Sequence, residues 1–320
     1  MASEFCKFYG QSLVLDELKR SFGSREVAHG FLLTGVAGSG KRMLARLCAK
    51  ALLCQGKERP CGACDACKRV AQNAHPDYIE VQTEKQTIGV EEIRSALDIL
   101  AEKPYEGGKR TVLILKPMTV QAQNALLKIL EEPPAGTVFF ITAVNVAAVL
   151  PTIASRTRII QLSPLPEQLC IACLTEHGIE TQRAQLLARL SGGVVGNALA
   201  MQKDERYWQM RELAFQTAQP FLENQIFDRI ALLKNIKELS GVFLDCMETL
   251  FSDILRYETG AQFASVDKKE QLASMAEAYR VAGAARMLDA LSRARACLTA
   301  NLSWQSVSEM IVFEIAEVLN

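Results

Sequence analysis

Gly35, Gly40 and Lys41 occupy the fixed positions of a Gly-x-x-x-x-Gly-Lys loop within LLTGVAGSGKRML, residues 32–44. In such a loop the glycines turn backbone N–H groups toward a phosphate at a helix N-terminus, and the lysine reaches the terminal phosphates. Gly38 adds a third permissive position. The pattern closes on Ser or Thr, whose hydroxyl holds Mg²⁺. Arg42 stands there instead, a cation with no acceptor to offer a metal. The other metal-holding group is a carboxylate at the end of a later strand. The strand expected at TVLIL (111–115) runs into Lys116 and Pro117, and the next acid is Glu131. With both Mg²⁺ ligands missing, the residues predict a phosphate loop that could hold ATP without hydrolysing it. A loop retained only as a tight turn is the other reading.

A second constellation is CQGKERPCGACDAC, which places Cys54, Cys61, Cys64 and Cys67 in a C-x6-C-x2-C-x2-C pattern. Four thiolates at this spacing suit a closed tetrahedral zinc site, structural rather than catalytic. The surrounding insert is polar and glycine-rich and carries too little apolar surface for a core of its own, so a metal would staple it. A reduced or redox-active thiol cluster is the alternative, and an iron–sulfur cluster fits the spacing less well. His75 lies nearby, but HPDY reads as a turn entering a strand rather than as a ligand. The other six cysteines are scattered and read as core thiols.

A third candidate is Ser155-Arg156 in LPTIASRTRIIQL, on a short turn before the last strand. An arginine at the edge of a nucleotide-binding fold can serve a neighbouring subunit's ATP. Taken alone, the local sequence favours an ordinary solvated arginine.

The elements that must carry these groups are legible as period and punctuation. Near-continuous apolar runs at 30–34, 78–82, 111–115, 138–142 and 158–162 predict buried parallel strands. Between them, SLVLDELKRSF, KRMLARLCAKALL, VEEIRSALDILAE and VQAQNALLKIL predict helices. In the second of these, Met43, Leu44, Leu47, Ala51 and Leu52 follow helical spacing. Strand–helix alternation with a glycine loop after an early strand argues for a doubly wound nucleotide-binding sheet over residues 1–163. Pro164 and Pro166 end it. A small helical segment is expected over 164–206, with Gly192-Gly193 as a helix stop. From Tyr207 to residue 320 the pattern is helical throughout. Phe243, Met247, Leu250 and Ile254 form one stripe, and Ala290, Ala294, Cys297 and Leu298 another, as in a helical bundle. An ordinary packed all-α domain without a partner would read the same way.

The chain has 320 residues, 49% apolar and 22% charged, which predicts a soluble globular protein of two or three domains. Lys plus Arg equal Asp plus Glu at 36 each, so any nucleic-acid contact must come from a local patch. No apolar run reaches the ~18 residues of a membrane helix. MASEFCKFYG carries an acid and no apolar core, so it does not read as a signal peptide, and a cytoplasmic location with reduced cysteines is expected.

The order GQ…HGFLLTGVAGSGK, the four cysteines, HPDYIEV, IGVEEIR, KPYEGGKRTVLI, AQNALLKILEEPP and LPTIASRT closely resembles bacterial DNA polymerase III clamp-loader subunits of the AAA+ class, over essentially the first 200 residues. The resemblance implies an α/β AAA+ phosphate-loop domain (1–163) with an inserted zinc module at about 54–67, a helical lid domain (164–206) and a C-terminal all-α collar (207–320). It implies gamma/tau and delta subunits as partners, the sliding clamp and primed DNA as the assembly's targets, and structural zinc. Within the family, gamma/tau subunits are motors and delta-prime is a companion that typically lacks ATPase activity. This chain departs from the motors at Arg42, at the missing acids after VLIL, and at Gly196, where a motor would carry a nucleotide-sensing arginine. Its resemblance is therefore to the delta-prime branch. Ser155 and Arg156 fall on the Ser-Arg-Cys signature, with Thr157 in place of Cys, so the resemblance implies that Arg156 reaches an adjacent subunit's ATP. Gly35, Gly38, Gly40 and Lys41 fall on the phosphate loop, Cys54, Cys61, Cys64 and Cys67 on the zinc module. An active gamma-like ATPase and a stand-alone zinc-containing nucleic-acid binder are the rival readings.

Overall fold

The structure is a computed structural model that describes residues 8–23, 27–106, 108–221 and 225–319. Residues 1–7, which hold Cys6 and most of the segment read above as lacking a signal peptide, lie outside the described residues. The chain divides into two compact units, residues 1–173 with 194–197, and residues 174–193 with 198–320.

The first unit is built on five parallel strands, β1 (Gly30–Thr34), β2 (Tyr78–Glu80), β3 (Arg110–Ile114), β4 (Thr137–Ala143) and β5 (Arg158–Gln161), in the order β2-β3-β4-β1-β5. β1, β3 and most of β4 are buried residue by residue, as expected for parallel strands covered on both faces. Phe31 stacks on Phe140 across the β1–β4 pair, with ring centroids 5.3 Å apart. Helices α1 (Ser12–Gly23), α2 (Lys41–Leu53), α3 (Asp65–Ala71), α4 (Val90–Ile99), α5 (Val120–Glu131) and α6 (Pro151–Ala154) connect and cover the strands. One apolar layer joins α1 and α2 to the sheet through Leu18, Leu44 and Phe140. The opposite layer joins α4 and α5 through Ile93, Leu126 and Phe139. β1 has neighbours on both sides whose connections run in different directions, so its C-terminal end opens at a switch point of the sheet, where α/β folds place ligands. The glycine loop leaves β1 there.

Two details differ from the sequence reading. Met43 is 48% exposed, while Ala45, Cys48 and Ala49 turn inward, so the buried face of α2 is rotated toward its small residues. The cysteine insert also contains a helix, α3, with Ala66, Cys67 and Val70 buried.

After α7 (Glu167–Glu176), the second unit holds α8 (Thr181–Leu190), most of α9 (Val195–Lys203), α10 (Glu205–Ala218), α11 (Ile226–Leu233), α12 (Ser240–Glu258), α13 (Lys269–Thr299) and α14 (Trp304–Leu319). Phe243, Met247, Leu250 and Ile254 of α12 are fully buried against Met287, Leu291 and Ala294 of α13 and Ile311 and Ile315 of α14. Ala290 is buried with them, while Cys297 and Leu298 are half-buried. Trp304 closes one end by donating its indole N–H to the Leu233 carbonyl at 2.7 Å. α13 is broken at Arg280, where φ is 53°. No helix of the described residues is long and apolar enough to cross a membrane.

Candidate functional site

The glycine loop feeds α2 through Gly40, which adopts φ 89° and caps the helix without a side chain. The first amides of α2 therefore have no side-chain cap, the usual preparation for an anion. Lys41 does not reach outward. Its Nζ donates to the Gly35 carbonyl at 2.5 Å and the Val36 carbonyl at 2.7 Å. Burial, and then the neighbouring Arg42 charge, hold its ammonium below the ordinary lysine value. Arg42 Nε donates to the Leu115 carbonyl at 2.9 Å. Arg42 thus ties α2 to the segment just after β3, which carries no acid. Lys116 in that segment is also committed, donating to the carbonyls of Thr83 at 2.6 Å and Lys85 at 3.0 Å. A pocket of about 870 Å³ runs past the loop, lined by Gly38, Lys41, Arg42, Arg46, Lys50 and Leu115 among others, with no Asp or Glu among its described lining residues. The carboxylate of Glu80 accepts from Arg46 at 2.6 Å and from the Tyr78 hydroxyl at 2.7 Å. Burial would raise its pKa, but these bonds outweigh burial and hold it below the ordinary range.

Gly196, at the start of α9, lies over the same loop. Its N–H donates to the Gly38 carbonyl at 3.1 Å.

Ser155 and Arg156 follow α6, away from this pocket's lining. Arg156 donates from one Nη to the Thr152 carbonyl at 2.9 Å and from the other to Glu131, at the C-terminal end of α5, at 2.7 Å. Its side chain remains 34% exposed. Ser155 Oγ donates to the Thr152 carbonyl at 3.1 Å, so it shapes the turn. Thr157 Oγ1 donates to the Ile153 carbonyl at 2.9 Å and closes α6 from the position where the family signature has Cys.

The four cysteines converge: the sulfurs of Cys54, Cys61, Cys64 and Cys67 all lie within 4.8 Å of one another. A tetrahedral zinc with ~2.3 Å Zn–S bonds separates its sulfurs by roughly 3.8 Å, and Cys54 and Cys64 stand at 3.9 Å. Backbone amides already point at the sulfurs, Gly56 and Cys61 at Cys54, Cys64 at Cys61, and Cys67 at Cys64, at 3.3–3.5 Å. Amides from Ala63 and Cys64 pull the Cys61 thiol down to about 6, whereas burial pushes Cys54 and Cys67 up. A set in which some thiols ionise readily and others resist is completed by a divalent cation, so the residues fit zinc. Its chemistry there would be structural, because four protein ligands leave no open position. The described cysteines form no disulfide.

Charged contacts bind this module to the sheet. Arg69 of α3 grips Glu106 in a two-pronged pair at 2.7 and 2.6 Å. Buried Asp77 accepts from the amides of Tyr105 and Glu106 at 2.8 and 2.7 Å and from Arg110 Nε at 3.3 Å. Arg110 in turn donates to the carbonyls of Ile99, Glu102 and Lys103. His75 is buried beside them. Its Nδ1 accepts from the Asp77 amide at 3.1 Å, so it is a turn residue and no member of the cysteine cluster. Asp77, Arg110 and Glu106 were not singled out from sequence. A charged pair flanking a strand start, at HPDY and GKRT, is the only local hint.

A sequence model described as DNA polymerase III, delta subunit, matches residues 10–166. The DNA polymerase III subunit delta-prime of Escherichia coli is 33% identical over 270 residues, covering 82% of this chain and 80% of that protein. The delta-prime subunit of Pseudomonas aeruginosa is 36% identical over 190 residues, 57% of each protein. The tau subunit of Escherichia coli is 33% identical over 207 residues, which span 62% of this chain but 32% of tau.

Proposed function

The chain belongs to the DNA polymerase III delta-prime subunit family, and on that footing we propose that it is a non-motor subunit of the clamp loader, the assembly that places a sliding clamp on primed DNA using ATP bound by its gamma/tau neighbours. The observation that carries the non-motor reading is the hydrogen bond from Arg42 to the Leu115 carbonyl. It commits the cation that stands at one Mg²⁺-holding position to the backbone just before Lys116 and Pro117, where the strand end carries no acid. Lys41, turned onto its own loop, would have to break two hydrogen bonds to meet a phosphate.

In this reading Arg156 is the group the chain contributes to chemistry. It would leave Glu131 and stabilise charge on the transferring phosphate of an adjacent subunit, a role worth ~10³–10⁵ in rate. Ser155 and Thr157 would hold the turn. The division into a nucleotide-fold domain (1–163), a lid (164–206) and a collar (207–320) that joins gamma/tau and delta is part of the same proposal, as is a cytoplasmic location. Zinc held by Cys54, Cys61, Cys64 and Cys67 would keep the inserted module folded.

The test is calorimetry of ATP with the purified chain, with and without Mg²⁺, followed by phosphate release. Absent turnover with weak or Mg²⁺-independent binding supports a companion subunit. Mg²⁺-dependent turnover abolished by Lys41→Ala would make the chain a gamma-like motor.

A further inference from the structure

A second, smaller pocket of about 280 Å³ lies on the first unit, apart from the glycine loop. It is lined by Lys19, Phe22, Ala51, Leu52, Lys57, Arg59 and Lys109. Four of these are cations and none is a carboxylate. They come from three distant stretches of chain. Lys19 lies on α1, Lys57 and Arg59 on the loop between Cys54 and Cys61, and Lys109 immediately before β3. In a chain whose formal charges cancel at 36 against 36, such a convergence is local by construction.

Local contacts hold each stretch in place. Cys54 and Cys61 bracket the loop of Lys57 and Arg59, and Arg59 Nε donates to the Gly56 carbonyl at 3.3 Å. Lys109 sits between Gly108, whose carbonyl lies against Gly136, and Arg110, whose N–H donates to the Gly136 carbonyl at 2.9 Å. Burial, and then the nearby Arg59 charge, keep the Lys109 ammonium below its ordinary value, so like charges crowd here. No carboxylate is among the described lining residues, and Asp16, which stands 3.7 Å from Lys19, is itself exposed. Gathering cations on fixed backbone costs self-repulsion, which a compact anion removes. Ala51, Leu52 and Phe22 give the pocket an apolar floor that strengthens such an attraction.

We propose that Lys19, Lys57, Arg59 and Lys109 form a phosphate-binding site distinct from the glycine loop, able to take a nucleic-acid phosphodiester or the phosphate of a small ester. The proposal is independent of whether the chain hydrolyses ATP or supplies Arg156.

The experiment uses the full chain and two probes: a labelled single-stranded oligothymidylate of about 12 nucleotides, followed by anisotropy, and pyrophosphate, followed by calorimetry. Lys57→Ala with Lys109→Ala should weaken oligonucleotide binding at least tenfold and reduce its salt slope by roughly 1.4. The paired Lys57→Arg and Lys109→Arg variant, which keeps the charges, should retain binding and report that the fold is intact. Lys234→Ala, which removes an exposed cation at the C-terminal end of α11 outside this pocket, should leave binding unchanged. Pyrophosphate binding with the same dependence, and no oligonucleotide binding, would keep the site and assign it to small phosphate compounds. The proposal is overturned if the paired alanine variant binds both probes like the wild type, if Lys234→Ala abolishes binding equally, or if polyglutamate competes as well as pyrophosphate.

Discussion

The Gly196 amide donates to the Gly38 carbonyl, and neither residue has room for a side chain. A Cβ on Gly196 would stand 2.5 Å from the Gly38 carbonyl oxygen and 2.8 Å from its Cα. A Cβ on Gly38 would collide with Asn197, and its φ of 80° already disfavours one. The glycine loop and the start of α9 therefore meet backbone to backbone. Where the motor subunits would present an arginine to nucleotide, this chain has a contact that an arginine would wedge open. Gly196→Arg should lower the thermal midpoint by several degrees, an overpacking cost of about 1–3 kcal/mol. Gly196→Ala should lower it less but measurably. An unchanged midpoint in both would mean that α9 does not rest on the loop in solution.

Removing one of the four proposed zinc ligands should cost more than removing an ordinary buried thiol. Cys61→Ser is expected to release the metal, measurable as loss of stoichiometric zinc by elemental analysis, and to destabilise the first unit. Cys48→Ser is the control. Cys48 is fully buried in α2 and is not one of the four clustered thiols, so Cys48→Ser should lose stability but keep its zinc.

Arg156 and Glu131 are partly exposed, so their ion pair should contribute about 0–1 kcal/mol to folding. Arg156→Ala should leave the chain folded, with unchanged circular dichroism and a midpoint close to wild type. In a complex reconstituted with gamma/tau and delta, it should slow ATP turnover by orders of magnitude. Glu131→Gln should keep turnover at or above the wild-type rate, because it releases the arginine without removing it. Unchanged turnover in Arg156→Ala would strip that residue of its proposed role.

What the sequence made legible follows the range of the interactions involved. The five strands and the glycine loop were readable because an apolar run and a loop spacing are local signals. The cysteine cluster was readable for the same reason, since Cys54 to Cys67 lie within one short insert. α3 was not, because Gly, Pro and Cys mask its start: Cys64 caps it by accepting the Cys67 amide, a side-chain role that composition does not announce. The commitments of Arg42 to Leu115 and of Arg156 to Glu131 span 73 and 25 residues. No pattern in the neighbourhood of either arginine names its partner. Sequence could show that Arg42 is unfit to hold Mg²⁺, but only the packing of α2 beside β3 shows where its guanidinium goes.

His75 provides a pH test of the contacts that anchor the module. Burial, and then the Arg69 charge, hold its pKa below the ordinary 6.5. Its neutral Nδ1 accepts the Asp77 amide, which a protonated ring could not do. The unfolded chain therefore binds a proton that the folded chain refuses. The stability His75 contributes is complete above about pH 6.5 and declines as pH falls below it. Glu106 and Glu80 titrate below the ordinary carboxylate value and so lie outside this window. Without its metal the Cys61 thiol, at about 6, would lie inside it too, so the share of His75 must be read as a difference between proteins. Urea unfolding of wild type and His75→Gln between about pH 5 and about pH 7.5 should show a steeper loss toward acid in the wild type. Parallel curves would mean that His75 titrates alike in both states, and that its contact with the Asp77 amide does not persist in solution.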